Sequence, residues 1–204
     1  MKKIPTLFKR EFEGHKIIGI SSELSDPSFR WVLDGEGDAT LKFDGSCCAI
    51  FDGKFYRRYD AKKGKVPPEG AIPCEDNPDP VTGHWPHWVL VDENKPEDKW
   101  FIEAYMNTNV YSEGTFEAVG KHFNGNPYNV DYDRLVRHGG CVLKVTRSFE
   151  GIKEFLKNNS IEGIVFWKDG EPRCKIKRSD FGFKWPVDFP HNTYLFDLKG
   201  YNYV

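Results

Sequence analysis

Lys42, Glu117, Glu162, Lys175 and Lys177 are the residues whose types and order could do chemistry. Lys42 opens Lys42-Phe43-Asp44-Gly45. Glu162 opens Glu162-Gly163-Ile164-Val165-Phe166, and Lys175-Ile176-Lys177 follows it. A lysine attacks phosphorus only when it is uncharged, well placed, and facing a triphosphate whose charge is neutralised. One lysine for attack, two more for charge, and two acids for a metal or a sugar point together to covalent nucleotidyl transfer.

Each element alone has a plainer reading. Lys-x-Asp-Gly should arise by chance in roughly one chain in twenty of this length, as a polar turn after a strand. Lys175 and Lys177 sit two apart on a predicted strand, so both leave one face while Ile176 points to the core. Neighbouring ammonium groups repel, which suits a face turned to a polyanion; the alternative is a solvated edge strand. Glu162 precedes a very apolar strand, a place for an acid at a pocket mouth or simply at a strand end. Glu117 lies in the strand-like Gly114-Thr115-Phe116-Glu117-Ala118-Val119-Gly120, where an inward acid needs a partner such as a ribose hydroxyl.

These residues need elements to hold them. Thr40 to Phe51 reads as extended chain, then Asp52-Gly53 marks a hairpin turn into Lys54 to Tyr59. Gly163 to Trp167, Asp169-Gly170 and Arg173 to Lys177 repeat that pattern. Between the hairpins, Lys65 to Asn94 holds Pro67, Pro68, Pro73, Pro78, Pro80 and Pro86, which predicts a stiffened surface excursion. Helices are predicted from Pro96 over Glu97 to Met106, from an Asp131 cap to near Gly139, and from a Ser148 cap over Phe149 to Asn158. Strands that outnumber helices without strict alternation predict an α+β fold with largely antiparallel sheets.

The 204 residues suit one domain, with residues 65–113 as an acidic, proline-rich insertion. The formal net charge of -2 argues against nucleic-acid binding by bulk charge. Residues 65–117 hold three Lys/Arg against eleven Asp/Glu, whereas residues 144–184 hold ten against six. A local basic groove therefore belongs with Lys175 and Lys177. No run of eighteen apolar residues or signal-type segment is present, which predicts a soluble, cytoplasmic protein without membrane partners. The five scattered cysteines read as reduced thiols. Cys74, His84 and His87 offer zinc-type donors without a clear fourth, and plain loop residues are the simpler reading.

In that order, the lysine motif, the strand glutamate, Glu-Gly-Ile-Val-Phe and Lys-Ile-Lys resemble the covalent nucleotidyltransferase superfamily of ATP-dependent ligases and capping enzymes. Cys47-Cys48 after Lys-Phe-Asp-Gly-Ser, Gly125-Asn126-Pro127-Tyr128, and Arg178-Ser179-Asp180-Phe181-Gly182 make the chain most similar to compact 5′–3′ RNA ligases. The resemblance covers roughly residues 36–186. It implies an ATP-grasp-like ligase adenylation domain of antiparallel sheets flanked by helices, without an OB domain. Lys42 would take AMP as a phosphoramidate, with Thr40 and Leu41 beside it lining the nucleotide site. Arg58 would contact the nucleotide or the RNA end, Arg57 being the alternative expected to face the other way. Glu117 would hold the ribose, Glu162 would place Mg2+ or Mn2+, and Lys175 and Lys177 would neutralise the α-phosphate.

The implied activity is ATP-dependent joining of RNA 5′-phosphate and 3′-hydroxyl ends by a monomer, through lysyl-AMP and an RNA-adenylate. Two departures concern the base: Thr40 stands where ligases often carry a glutamate, and residues 138–143, His-Gly-Gly-Cys-Val-Leu, show no clear adenine-stacking aromatic. DNA nick ligases and GTP-dependent capping enzymes are the enzymatic alternatives. They usually add an OB-type domain, and 27 residues follow Lys177. A non-catalytic RNA-binding protein is the further alternative, though binding alone needs no nucleophile.

Overall fold

The computed structural model describes residues 2–14, 16–109 and 112–187. The stretch after residue 187, on which the short-tail expectation leans, lies outside them. In chain order the strands are β1 (Phe8–Glu13), β2 (Lys16–Leu24), β3 (Asp38–Lys42), β4 (Ser46–Phe51), β5 (Lys54–Ala61), β6 (Ile72–Pro73), β7 (Trp85–Leu90), β8 (Gly114–Val119), β9 (Arg134–Arg137), β10 (Gly163–Lys168) and β11 (Glu171–Lys177). The α-helices are α1 (Arg30–Leu33), α2 (Lys99–Met106) and α3 (Phe149–Asn158). Antiparallel ladders with few helices agree with an α+β class. No helix among the described residues is long and apolar enough to cross a membrane. The chain divides into two compact units, and among the described residues it passes between them after Lys3, after Phe43 and after His138.

One unit takes Ile4–Phe43 and resumes at Gly139. Its three-stranded sheet runs β11-β10-β3, and β1 and β2 form a separate hairpin. Leu41, Ile164 and Ile176 lie in one register row and are all buried. The Ser148 hydroxyl accepts the Gly151 N–H at 3.1 Å and starts α3, whose Ile152 and Leu156 are buried. Ahead of β1, the Leu7 N–H bonds the Lys175 carbonyl at 2.7 Å, and the Lys175 N–H bonds the Pro5 carbonyl at 2.9 Å. That pairing secures the outer edge of the strand that carries the lysine pair.

The other unit holds Asp44–His138, with a sheet ordered β6-β7-β5-β4-β8-β9. Trp100, Phe101 and Ala104 of α2 pack with Phe55 and Phe123 on Cys48, Ile50, Phe116, Ala118 and Leu135. Arg57 on β5 forms an ion pair with fully buried Asp98, just before α2. Asp98 also accepts the Asp92 N–H at 3.0 Å, so its charge is answered on both oxygens.

Three sequence expectations differ from the structure. The extended run from Thr40 to Phe51 is two strands on different sheets, β3 and β4, separated at the Phe43-Asp44-Gly45 corner. The helix expected after Asp131 is instead β9, because Arg134–Arg137 completes a ladder on the edge of β8. Part of the proline-rich excursion is β7, mostly buried and paired to β5 from Tyr56↔Leu90 to Ala61↔Trp85. Pro86 is tolerated there because it sits at the strand's start.

Candidate active site

Lys42, Glu162, Lys175 and Lys177 come together in one unit. Register explains how. Gly163 on β10 pairs with Lys42 on one side and Lys177 on the other, so both side chains leave the same face. Val165 likewise lies between Thr40 and Lys175, two residues along. Gly163 puts no side chain between Lys42 and Lys177. A Cβ there would stand 2.3 Å from the Ile176 carbonyl oxygen, so only glycine fits. Thr40 is buried, its hydroxyl donating to the Val165 carbonyl at 3.2 Å, and Leu41 faces the core.

Electrostatics mark this face. Lys42 Nζ meets Glu162 Oε2 at 2.5 Å and the Phe43 carbonyl at 3.5 Å. Burial pulls the Lys175 ammonium down to about 8, with help from the positive charges of Lys42, Lys177 and Arg10. Arg10, from β1, pairs with buried Asp180 at 2.7 Å, whose other oxygen accepts the Lys177 N–H at 2.8 Å. Sequence reading missed Arg10, since nothing near it marks a partner 170 positions away. Three cationic side chains against one carboxylate make a face suited to bind a polyphosphate.

In the other unit, the second half of the lysine tetrapeptide is clamped. The Asp44 N–H donates to the Tyr128 hydroxyl at 2.6 Å, and the Asn124 amide donates to the Asp44 carboxylate at 2.8 Å and the Gly45 carbonyl at 2.7 Å. The Gly45 N–H reaches Glu117 Oε1 at 3.1 Å. A Cβ on Gly45 would stand 2.2 Å from the Ala118 carbonyl oxygen, which accounts for glycine after the aspartate. Asn124 and Asn126 have positive φ, a backbone asparagine tolerates, and so shape the loop that delivers Tyr128.

Glu117 Oε2 also meets His138 Nε2 at 2.8 Å, a partner sequence reading did not assign. Cys47 lies opposite Glu117 in the β4–β8 register. Arg58 pairs with Asp60 at 3.0 Å, and its charge is felt at the Cys47 thiol. Arg57 is committed to Asp98. Cys74, His84 and His87 do not converge among the described residues: the Cys74 N–H bonds the Pro86 carbonyl and His87 Nδ1 meets the Trp85 carbonyl.

Known proteins add one finding to this geometry. The chain is similar to proteins named RNA ligase 1. It is 28% identical to that of Pongo abelii over 176 aligned positions, covering 64% of this chain and 52% of the relative. With the Danio rerio protein it shares 28% over 141 positions, 52% of this chain and 43% of the relative. The Rattus norvegicus protein is 25% identical over 268 positions, 92% of this chain and 78% of the relative. The chain thus spans about half the length of the first two relatives. No family model matches it.

Proposed function

We propose that the chain is an ATP-dependent RNA ligase that joins RNA 5′-phosphate and 3′-hydroxyl ends through a lysyl-AMP intermediate. The observation carrying this reading is the row Lys42–Gly163–Lys177, with Lys175 on the same face and Glu162 on the Lys42 amine. The relatives' names agree with it. A binding role would need the cations but not a nucleophilic amine held by a carboxylate.

Lys42 gives up a proton and its nitrogen attacks the α-phosphorus of ATP. A phosphorus–nitrogen bond forms and the bond to pyrophosphate breaks. Lys175 and Lys177 balance the charge on the phosphoryl oxygens. The AMP then passes to an RNA 5′-phosphate, breaking that bond and forming a phosphoanhydride. A 3′-hydroxyl attacks the 5′-phosphate, AMP leaves, and a phosphodiester remains. Glu162, a hard oxygen donor, would hold Mg2+ or Mn2+, which would add positive charge at the phosphates. Glu117 is assigned to the ribose and Arg58 to the nucleotide or RNA end. Incubation with α-labelled ATP and then 5′-phosphorylated RNA tests the reading, with GTP and DNA ends separating it from capping and DNA-joining chemistry. Protein that charges with GTP alone, or joins DNA only, overturns it.

A further inference from the structure

We propose that Arg10 binds the β- and γ-phosphates of ATP, and so the pyrophosphate that leaves. This rests on the nucleotidyl-transfer reading and adds a residue to the same site. The order of the strands carries it. Lys42 on β3, Gly163 on β10 and Lys177 on β11 form one row across the sheet. On the outer edge of β11, Thr6 pairs in parallel with Lys175, and the chain then runs through buried Leu7 and Phe8 to Arg10 on β1. Arg10 therefore comes to the lysine pair from the side opposite Lys42. Lys42, its proton released to water, bonds to the α-phosphorus, and the bridging oxygen leaves with the electron pair of the broken bond. Attack and departure lie in line. Pyrophosphate thus departs on the side of the α-phosphorus away from Lys42, which is the side of Arg10.

Arg10 is built into this position. Its Nε and Nη2 both reach Asp180 Oδ1, at 2.9 and 2.7 Å, while Asp180 Oδ2 accepts the Lys177 N–H at 2.8 Å. One carboxylate thus ties the guanidinium to the backbone of the strand that carries both lysines. The Asp180 side chain is 2% exposed and that of Arg10 is 25% exposed, so the anchor is buried while part of the arginine stays open to a ligand. The bonds to Asp180 do not use Nη1, and a planar fork with N–H groups to spare matches phosphate oxygens. Behind burial, the charges of Lys42, Lys177 and Arg10 all bear on the Lys175 ammonium, so the four cations share one field. Lys9, next to Arg10 in sequence, is engaged elsewhere: it pairs with Glu23 across the hairpin at 2.6 Å.

The test is calorimetry on the full chain, with inorganic pyrophosphate, AMP and a 5′-phosphorylated RNA oligonucleotide as separate probes. Arg10→Gln should weaken pyrophosphate binding on the order of 10-fold and leave AMP binding unchanged. Arg10→Lys should recover part of the loss, and Lys9→Gln should bind pyrophosphate as the unmodified chain does. Unchanged pyrophosphate affinity in Arg10→Gln, whatever its melting temperature, would show an arginine that only supports Asp180 and overturns the proposal. A loss confined to the RNA probe overturns it too, as does an unmodified chain that binds no pyrophosphate. Should Arg10→Gln fail to fold because Asp180 is left buried and unpaired, the double variant with Asp180→Asn removes both charges. Undiminished pyrophosphate binding by that variant overturns the proposal equally. Failure of Lys42 to take AMP would count against the ligase reading alone, since these affinities need no bond to form.

Discussion

Lys42 and Glu162 meet at 2.5 Å, so the amine proposed to attack ATP has a counter-charge beside it. Glu162→Gln keeps the shape but removes that charge. Label transfer from α-labelled ATP to the protein should fall on the order of 100-fold, and an unchanged rate would remove Glu162 from the reaction. Lys175 gives a pH signature. Depressed to about 8, it is charged below that pH and neutral above it. ATP affinity should weaken as pH rises through 8, and Lys175→Arg, whose charge persists, should flatten that loss. Parallel profiles by calorimetry would show that another group titrates. Linkage has the opposite sign for stability. Between about 8 and the ordinary lysine value of about 10.4, the unfolded chain binds more protons, so this group makes the fold more stable as pH rises across that window. The lysines and acids were legible as types in order. Their partners, Arg10 to Asp180 and His138 to Glu117, were not, since contacts across 170 and 21 positions leave no local pattern.

Hairpins were the most readable elements. Asp52-Gly53 and Asp169-Gly170 both adopt positive φ at each residue, the backbone a two-residue turn demands, and so the strands on either side followed from the sequence. Helix α3 was equally readable from its Ser148 cap and its apolar spacing. Ser148→Ala should cost about 1 kcal/mol, seen as a lower denaturant midpoint with unchanged slope. Where pairing rather than local preference decides, reading failed. β9 forms because β8 offers an open ladder, and Pro86 enters β7 at its first turn of ladder rather than in a loop. Gly163 belongs to this scale too. Its missing Cβ lets β10 lie close to Ile176 while clearing the space between two lysines. Gly163→Ala should destabilise by about 1–3 kcal/mol and lower ATP affinity as well. A variant with unchanged melting temperature and affinity would show that the close approach is not needed.

Across the whole molecule, the two units hold stretches of opposite charge balance. The acidic stretch 65–117 lies within the unit of the six-stranded sheet, and the basic stretch 144–184 lies within the unit of Lys42, Lys175 and Lys177. The stretch with the basic excess thus falls in the unit that holds the Lys42 amine. That the lysine tetrapeptide itself straddles the passage between units was not legible, because Lys42-Phe43-Asp44-Gly45 reads as one turn. Its first half carries the amine proposed to react, and its second half is clamped by Tyr128, Asn124 and Glu117.

The most direct measurement is peptide mapping of the protein after incubation with α-labelled ATP and a divalent metal, alongside Lys42→Ala. The account predicts one AMP per chain, on Lys42, absent from the variant and transferable to 5′-phosphorylated RNA. AMP on a different residue, or equal labelling of Lys42→Ala, would contradict it.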